Sequence, residues 1–212
     1  MRILVFGASG SIGSRIVAEA RRRGHDVARV TRALSAPDGD GFSGDVRAPL
    51  NALRAAQADA VAVAVGAKPF SPRPDYGVYE DAAVALVGAV RSLADQRRPR
   101  IVAVGGAGSL QTANGVLVSQ TPHFPAELAE EAAAQRRALE YYRTVDDVSW
   151  TYISPPAHLE PGERTGRYRS GRDVLLSDER GESKISMEDY AVAFVDELER
   201  PTGVHARLTV AY

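Results

Sequence analysis

Cysteine is absent from the 212-residue chain, which excludes disulfides, thiolate nucleophiles and cysteine metal ligands. The four histidines, His25, His123, His158 and His205, stand far apart and lack metal-ligand spacing. Neither sign of charge dominates: the formal net charge is −1, so a nucleic-acid or acidic-membrane partner has no electrostatic support. The arginine runs at 21–23 and 97–98 fall at the ends of expected helices, where they complement the negative end of the dipole. No apolar run is long enough to span a bilayer, and the first, residues 3–6, is too short for a signal peptide. These absences leave a cytoplasmic, soluble protein as the expectation.

What is present alternates. Short apolar runs, "RILVF", "DVARVT", "GFSGDV", "AVAVAV", "RIVAVGG", "SWTYIS" and "RLTVA", read as strands. Between them lie amphipathic stretches that read as helices over 11–23, 48–57, 78–96, 126–145 and 187–199. Ser186, three residues before Asp189, reads as a capping box opening the last of these. Such alternation means parallel strands joined by right-handed crossovers: an α/β, Rossmann-like doubly wound, mainly parallel sheet with helices on both faces. The expectation is one domain over 1–212, with a small substrate-side lobe built from the loops at 67–77 and 107–125 and from 155–185. In this class the ligand lies at the carboxyl ends of the strands.

At the end of the first strand stands "FGASGSIG", with Gly7, Gly10 and Gly13 spaced by three. It follows a buried strand and opens a helix with no spare residue, the context a dinucleotide turn requires. Gly7 allows the sharp turn, Gly10 lets the backbone approach a pyrophosphate, and Gly13 lets helix pack on strand. The amides of Ser11, Ile12 and Gly13 then face the anion, aided by the helix dipole, and Ser9 and Ser11 add hydroxyls. The usual fingerprint places an acid about twenty residues on for the ribose 2′-hydroxyl. Asp26 has nearly that separation but precedes the second strand, whereas the strand's carboxyl end reads Thr31-Arg32-Ala33. An arginine there suits a 2′-phosphate, through a charge-assisted hydrogen bond worth roughly 1.5–3 kcal/mol. Arg32 therefore points to NADP(H) over NAD(H).

Reduction of a simple carbonyl needs a proton donor, which short-chain dehydrogenases supply with a tyrosine and a lysine four residues later. None of the eight tyrosines has lysine at that position, and the chain holds only Lys68 and Lys184. An acceptor that is itself an electron sink relaxes the requirement: a flavin or quinone takes hydride into a delocalised ring.

Taken with "GHDVARVTR", "VAVAVGA", "IVAVGGAGSL", "WTYISPPAHLEPGERTGRYR" and "ISMEDYAVAFVDELERP", the chain resembles an atypical short-chain dehydrogenase/reductase. The resemblance is to the NAD(P)H-binding group labelled NADH-flavin reductases, similar to the biliverdin-IXβ/flavin reductases, and covers nearly the full length. It implies that Gly7, Ser9, Gly10, Ser11, Ile12 and Gly13 hold the pyrophosphate and that Arg32 meets the 2′-phosphate. By the same likeness Asp45 and Val46 contact adenine, and Ala64, Val65 and Gly66 line the ribose. Gly105 and the segment to Ser109 reach the nicotinamide side, which Ser154, Pro155 and Pro156 cap. Ser109 reads either as a hydrogen-bond donor to the substrate or carboxamide, or as a serine capping a turn. His158 stands one residue beyond the group's histidine, so it reads either as catalytic or as a surface residue. His123 sits in a loop that could close over substrate; Phe70, Tyr76, Tyr79 and Phe124 are candidates for stacking on a ring.

The reading that follows is an NADPH-dependent oxidoreductase passing hydride to a flavin, quinone or other conjugated acceptor, as a monomer or homodimer. Two others stay open: a non-catalytic NADP(H)-binding redox sensor, and a tailoring reductase or isomerase of a specialised metabolite.

Overall fold

The computed structural model describes residues 1–31, 41–68 and 70–212. Arg32 lies outside them. In chain order the elements are β1 (Arg2–Phe6), α1 (Ser11–Arg22), β2 (Asp26–Thr31), β3 (Gly41–Ser43), α2 (Leu50–Ala56) and β4 (Ala60–Val63). Next come α3 (Val78–Arg91), β5 (Arg100–Val104), α4 (Ala129–Arg143), β6 (Trp150–Ser154), β7 (His158–Glu160) and β8 (Arg169–Gly171). The chain closes with β9 (Lys184–Ser186), α5 (Met187–Glu199) and β10 (Ala206–Ala211).

Eight strands form one sheet in the order β3-β2-β1-β4-β5-β6-β10-β8, parallel throughout except for the last pair. The order reverses between β1 and β4, which fixes the ligand-binding edge at the carboxyl ends of those strands. Strand alternation divides the core. Leu4, Phe6, Val61, Val63, Trp150 and Tyr152 face α2, α3 and α4, whereas Ile3, Val5, Ala62, Ile153 and Leu208 face α1 and α5. The doubly wound α/β sheet is thus the one the alternation implies. β7 and β9 form a separate parallel pair within and after the 155–185 segment.

Several boundaries differ from those read in the sequence, each for a local reason. The third strand stops at Ser43 because Asp45 folds the chain into a turn: its Oδ1 accepts from Arg47 N at 2.9 Å and its carbonyl from Ala48 N at 3.0 Å. α3 ends at Arg91 rather than near 96, with Ser92 Oγ donating to the Ala89 carbonyl at 2.7 Å. The chain after Pro125 first makes a tighter 3-10 turn, Ala126–Leu128, before α4 begins. The Ser186 cap is present, its Oγ accepting from Asp189 N at 2.9 Å. The reciprocal half of the box is not formed. Asp189, fully buried, instead accepts from Gly166 N, the Thr165 amide and hydroxyl, and Tyr212 Oη, tying the 161–168 loop to α5.

Candidate functional site

The site starts from two close approaches of backbone to backbone. Gly7 has φ +78°, and a Cβ there would stand 2.3 Å from the Ala64 carbonyl oxygen. A Cβ on Gly13 would lie 2.1 Å from the Gly7 carbonyl oxygen. Only glycine lets β1 turn this tightly against β4 and lets α1 seat on the turn. Gly10 N donates to Gly7 O at 3.0 Å, and no side chain caps α1 at Gly10. The first-turn amides of Ser11, Ile12 and Gly13 are therefore presented at the carboxyl edge, with the positive end of the dipole behind them.

Beside this turn lies a cleft of about 710 Å³, within the range of small-molecule sites. Its walls include Gly7, Ser9, Gly10, Asp45, Val46, Ala64, Val65 and Gly66, gathered from the ends of β1, β3 and β4. The sequence had marked these as nucleotide contacts, and the structure brings them together. Arg47 closes the edge of the cleft next to β3, with Nη1 and Nη2 each 2.8 Å from the Asp75 carboxylate and Nε 2.7 Å from Asp81. That clasp joins the turn after β3 to the loop before α3. Lys68 and Arg73 line the same cleft. Uncapped amides, a glycine cradle that a Cβ would fill and a cleft of this volume at the switch point fit a dinucleotide.

The remaining candidates lie elsewhere. Gly105, Ser154, Pro155 and Pro156 are buried at the ends of β5 and β6, outside that cleft's walls. Ser154 Oγ is buried without a partner among the described residues, as is Thr209 Oγ1 beside it across the β6–β10 pairing. Ser109 is also buried: its hydroxyl donates to Gly106 O at 3.4 Å and accepts from Arg207 Nη1 at 3.1 Å, while its carbonyl accepts from the same nitrogen at 2.7 Å. Arg207 is itself buried and ion-paired to Asp173. His158 is exposed on β7 at the wall of a second cleft of about 820 Å³, which it shares with Lys184 and Tyr212. Phe70 is 79% exposed, whereas Tyr79 is buried.

Tyr79 heads a cluster that sequence reading did not assemble. Its hydroxyl accepts from Ala67 N at 3.1 Å and donates to the Glu131 carboxylate, with the Gln135 side chain adjacent. Burial, reinforced by Glu131, pushes the Tyr79 phenol well above the ordinary tyrosine range, so it holds its proton at neutral pH. α4 is fixed over the sheet by Tyr152 Oη, which donates to the Gln135 carbonyl at 3.0 Å. The available signal was the spacing of Glu131 and Gln135, polar residues one turn apart at the start of an alanine-rich helix.

Comparisons with known proteins agree with this geometry. Residues 7–201 match the family model described as NAD(P)H-binding. The uncharacterized protein YwnB of Bacillus subtilis is 37% identical over 99% of this chain and 98% of its own length. A "putative exported protein" from Burkholderia pseudomallei is 41% identical with a TM-score of 0.86, covering 100% of both chains. SP1627 of Streptococcus pneumoniae, a "putative NADH-flavin reductase", is 31% identical with a TM-score of 0.86 over 100% of this chain and 99% of its own. No helix among the described residues is long and apolar enough to cross a membrane.

Proposed function

Because the chain belongs to the NAD(P)H-binding family, we propose that it is a reductase passing hydride from NADPH to a flavin, a quinone or another conjugated acceptor. The observation that carries this reading is the set of uncapped first-turn amides of α1 facing a cleft at the switch point of the sheet. When bound, the dihydronicotinamide supplies the hydride. The chain's own part is to seat the pyrophosphate on Ser11 to Gly13, hold the ribose against Ala64 to Gly66, and bring the acceptor alongside the ends of β5 and β6. Absence of the tyrosine–lysine dyad favours acceptors that delocalise the incoming electron pair.

The flavin reductase activity in the name of SP1627 supports the flavin end of this range. That name specifies NADH. The NADPH preference proposed here rests on Arg32 directly after β2, with the cationic Lys68 and Arg73 on the cleft wall as further support. A nucleotide donor kept inside the cell supports a cytoplasmic location.

The test is NADPH oxidation followed at 340 nm with FMN, FAD, quinones and dyes. Turnover well above the no-enzyme rate is expected with at least one of them. Tight nucleotide binding with no turnover on any acceptor would identify a sensor instead. Arg32→Ala should weaken NADPH by about one to two decades while leaving NADH nearly unchanged; an unaltered preference removes Arg32 from the assignment.

A further inference from the structure

Two glycines at the carboxyl edge leave room for polar groups that reach it from the helices. A Cβ on the cleft-lining Gly66 would stand 3.9 Å from the Tyr79 hydroxyl, and one on Gly106 would fall 1.6 Å from Gln135 Oε1. The segments just after β4 and β5 therefore pack directly against the cluster. After the loops that follow β4 and β5, α3 and α4 begin at the carboxyl edge of the sheet, so the first turn of α3 carries Tyr79 and that of α4 carries Glu131 to this edge. The Tyr79 oxygen is pinned by Ala67 N on one side and by Glu131 on the other. Glu131 is half-buried and keeps contact with water.

In a doubly wound sheet the dinucleotide lies across the switch point. Its adenine half belongs to the cleft on the β1–β2–β3 side, so its reacting half falls at the ends of β4, β5 and β6. That is where reduction needs a proton. The partners of the Ser109 hydroxyl, the Gly106 carbonyl and the Arg207 guanidinium, cannot resupply a proton, and His158 faces the second cleft. A hydroxyl linked to solvent through a carboxyl meets the need.

We propose that Tyr79 and Glu131 are the proton-supplying pair of this site, with Tyr79 the catalytic acid and Glu131 the group that reloads it. The assignment rests on the reductase reading above. The acceptor gains hydride as a new C–H or N–H bond, and its displaced electron pair settles on an oxygen or nitrogen. That atom takes the Tyr79 proton; the Tyr79 O–H bond breaks, and the Glu131 carboxyl O–H bond breaks to restore it. The pair is left as a tyrosine hydroxyl donating to a carboxylate, the arrangement the structure holds, and water returns one proton to Glu131. One hydride and one proton are consumed.

The experiment compares a para-quinone, whose oxygen needs a proton, with a phenazinium cation, which hydride alone neutralises. Both are run with NADPH after subtraction of the no-enzyme rate. In Tyr79→Phe the quinone-to-phenazinium ratio of kcat falls about a hundredfold, and in Glu131→Gln about tenfold. NADPH affinity, read by nucleotide fluorescence, stays at the wild-type level in both. In the nucleotide-free protein a low-field hydroxyl proton resonance is present and is lost in both variants. An unchanged ratio, an equal loss on both acceptors, or absence of that resonance from the wild type overturns the proton role and leaves the reductase reading standing. Failure of the wild type to turn over either acceptor overturns the reductase reading, and the pair's role with it.

Discussion

Gly13→Ala tests the seat of the pyrophosphate most directly. The new methyl carbon would lie 2.1 Å from the Gly7 carbonyl oxygen, where real contacts essentially never fall below 3.0 Å. The opposing group is backbone, held by the Gly10 N to Gly7 O bond, so it cannot rotate away. α1 must therefore retreat by about 1 Å, an overpacking strain of about 1–3 kcal/mol. The better helix propensity of alanine returns at most about 1 kcal/mol. A net loss of about 1–2 kcal/mol is expected in urea unfolding. The same retreat draws the amides of Ser11 to Gly13 off the anion. Forfeiting one charge-assisted hydrogen bond, about 1.5–3 kcal/mol, weakens NADPH ten- to hundredfold in a fluorescence titration. Gly88→Ala in α3 is the control: a Cβ there meets nothing within 4 Å, and the substitution should stabilise by about 0.5–1 kcal/mol. If Gly13→Ala unfolds less readily than predicted and binds NADPH as the wild type does, the close-approach argument fails. If it loses stability but not affinity, the helix terminus is not the anion seat.

Three further outcomes follow from buried charge. Glu19 is buried and accepts from Arg22, Arg23 and Arg164; burial alone would lift its carboxyl, but these guanidiniums overrule it and hold it well below the usual range. The stabilisation is complete above the unfolded value near 4.5 and fades below it by about 1.4 kcal/mol per pH unit. Glu19→Gln should thus cost about 2–3 kcal/mol at pH 7 and much less at pH 3; a gap independent of pH in urea melts contradicts the linkage. Arg207→Met leaves the Ser109 carbonyl without its donor, and about 2–3 kcal/mol should be lost, measured the same way. Ser109→Ala removes only the hydroxyl from that network: a loss of about 1 kcal/mol with turnover unchanged supports the turn-holding reading, whereas a collapse of turnover at unchanged stability supports the catalytic one.

The sheet was readable because its strands are buried on both faces. Continuous β-branched runs such as those of β1, β4 and β5 can be little else, and the helices between them enforce parallel pairing. Boundaries were less readable, since they turn on single side chains. Asp45 folding back on Arg47 N, or Ser92 on the Ala89 carbonyl, leaves no trace in hydrophobic period. Periodicity also reports where apolar residues are buried, not where charge is. Arg100 on β5 reaches Glu197 on α5, nearly a hundred positions away, and Thr151 beside it, a buried ion pair that needs the tertiary structure to exist at all.

The same distinction divides the candidate site. The half proposed to hold the nucleotide is built from backbone, and backbone that must approach other backbone requires glycine, so Gly7 and Gly13 mark it in the sequence within a single turn. The β3 edge of the cleft, by contrast, is closed by Arg47 on Asp75 and Asp81, one from the loop before α3 and one from its first turn, with no local signature. The half proposed to meet the acceptor follows that second pattern. Tyr79 and Glu131 come from two helices separated in the chain by one strand, β5; Tyr79 alone reads as an aromatic for stacking and Glu131 as an ordinary amphipathic position. A parallel sheet nevertheless brings them together, because crossover helices begin at its carboxyl edge and α3 and α4 lie side by side on one face. First-turn polar residues of successive helices on the same face of the sheet are therefore neighbours in space whatever their distance along the chain. In this fold those positions are where chemistry not written in a glycine turn is to be sought.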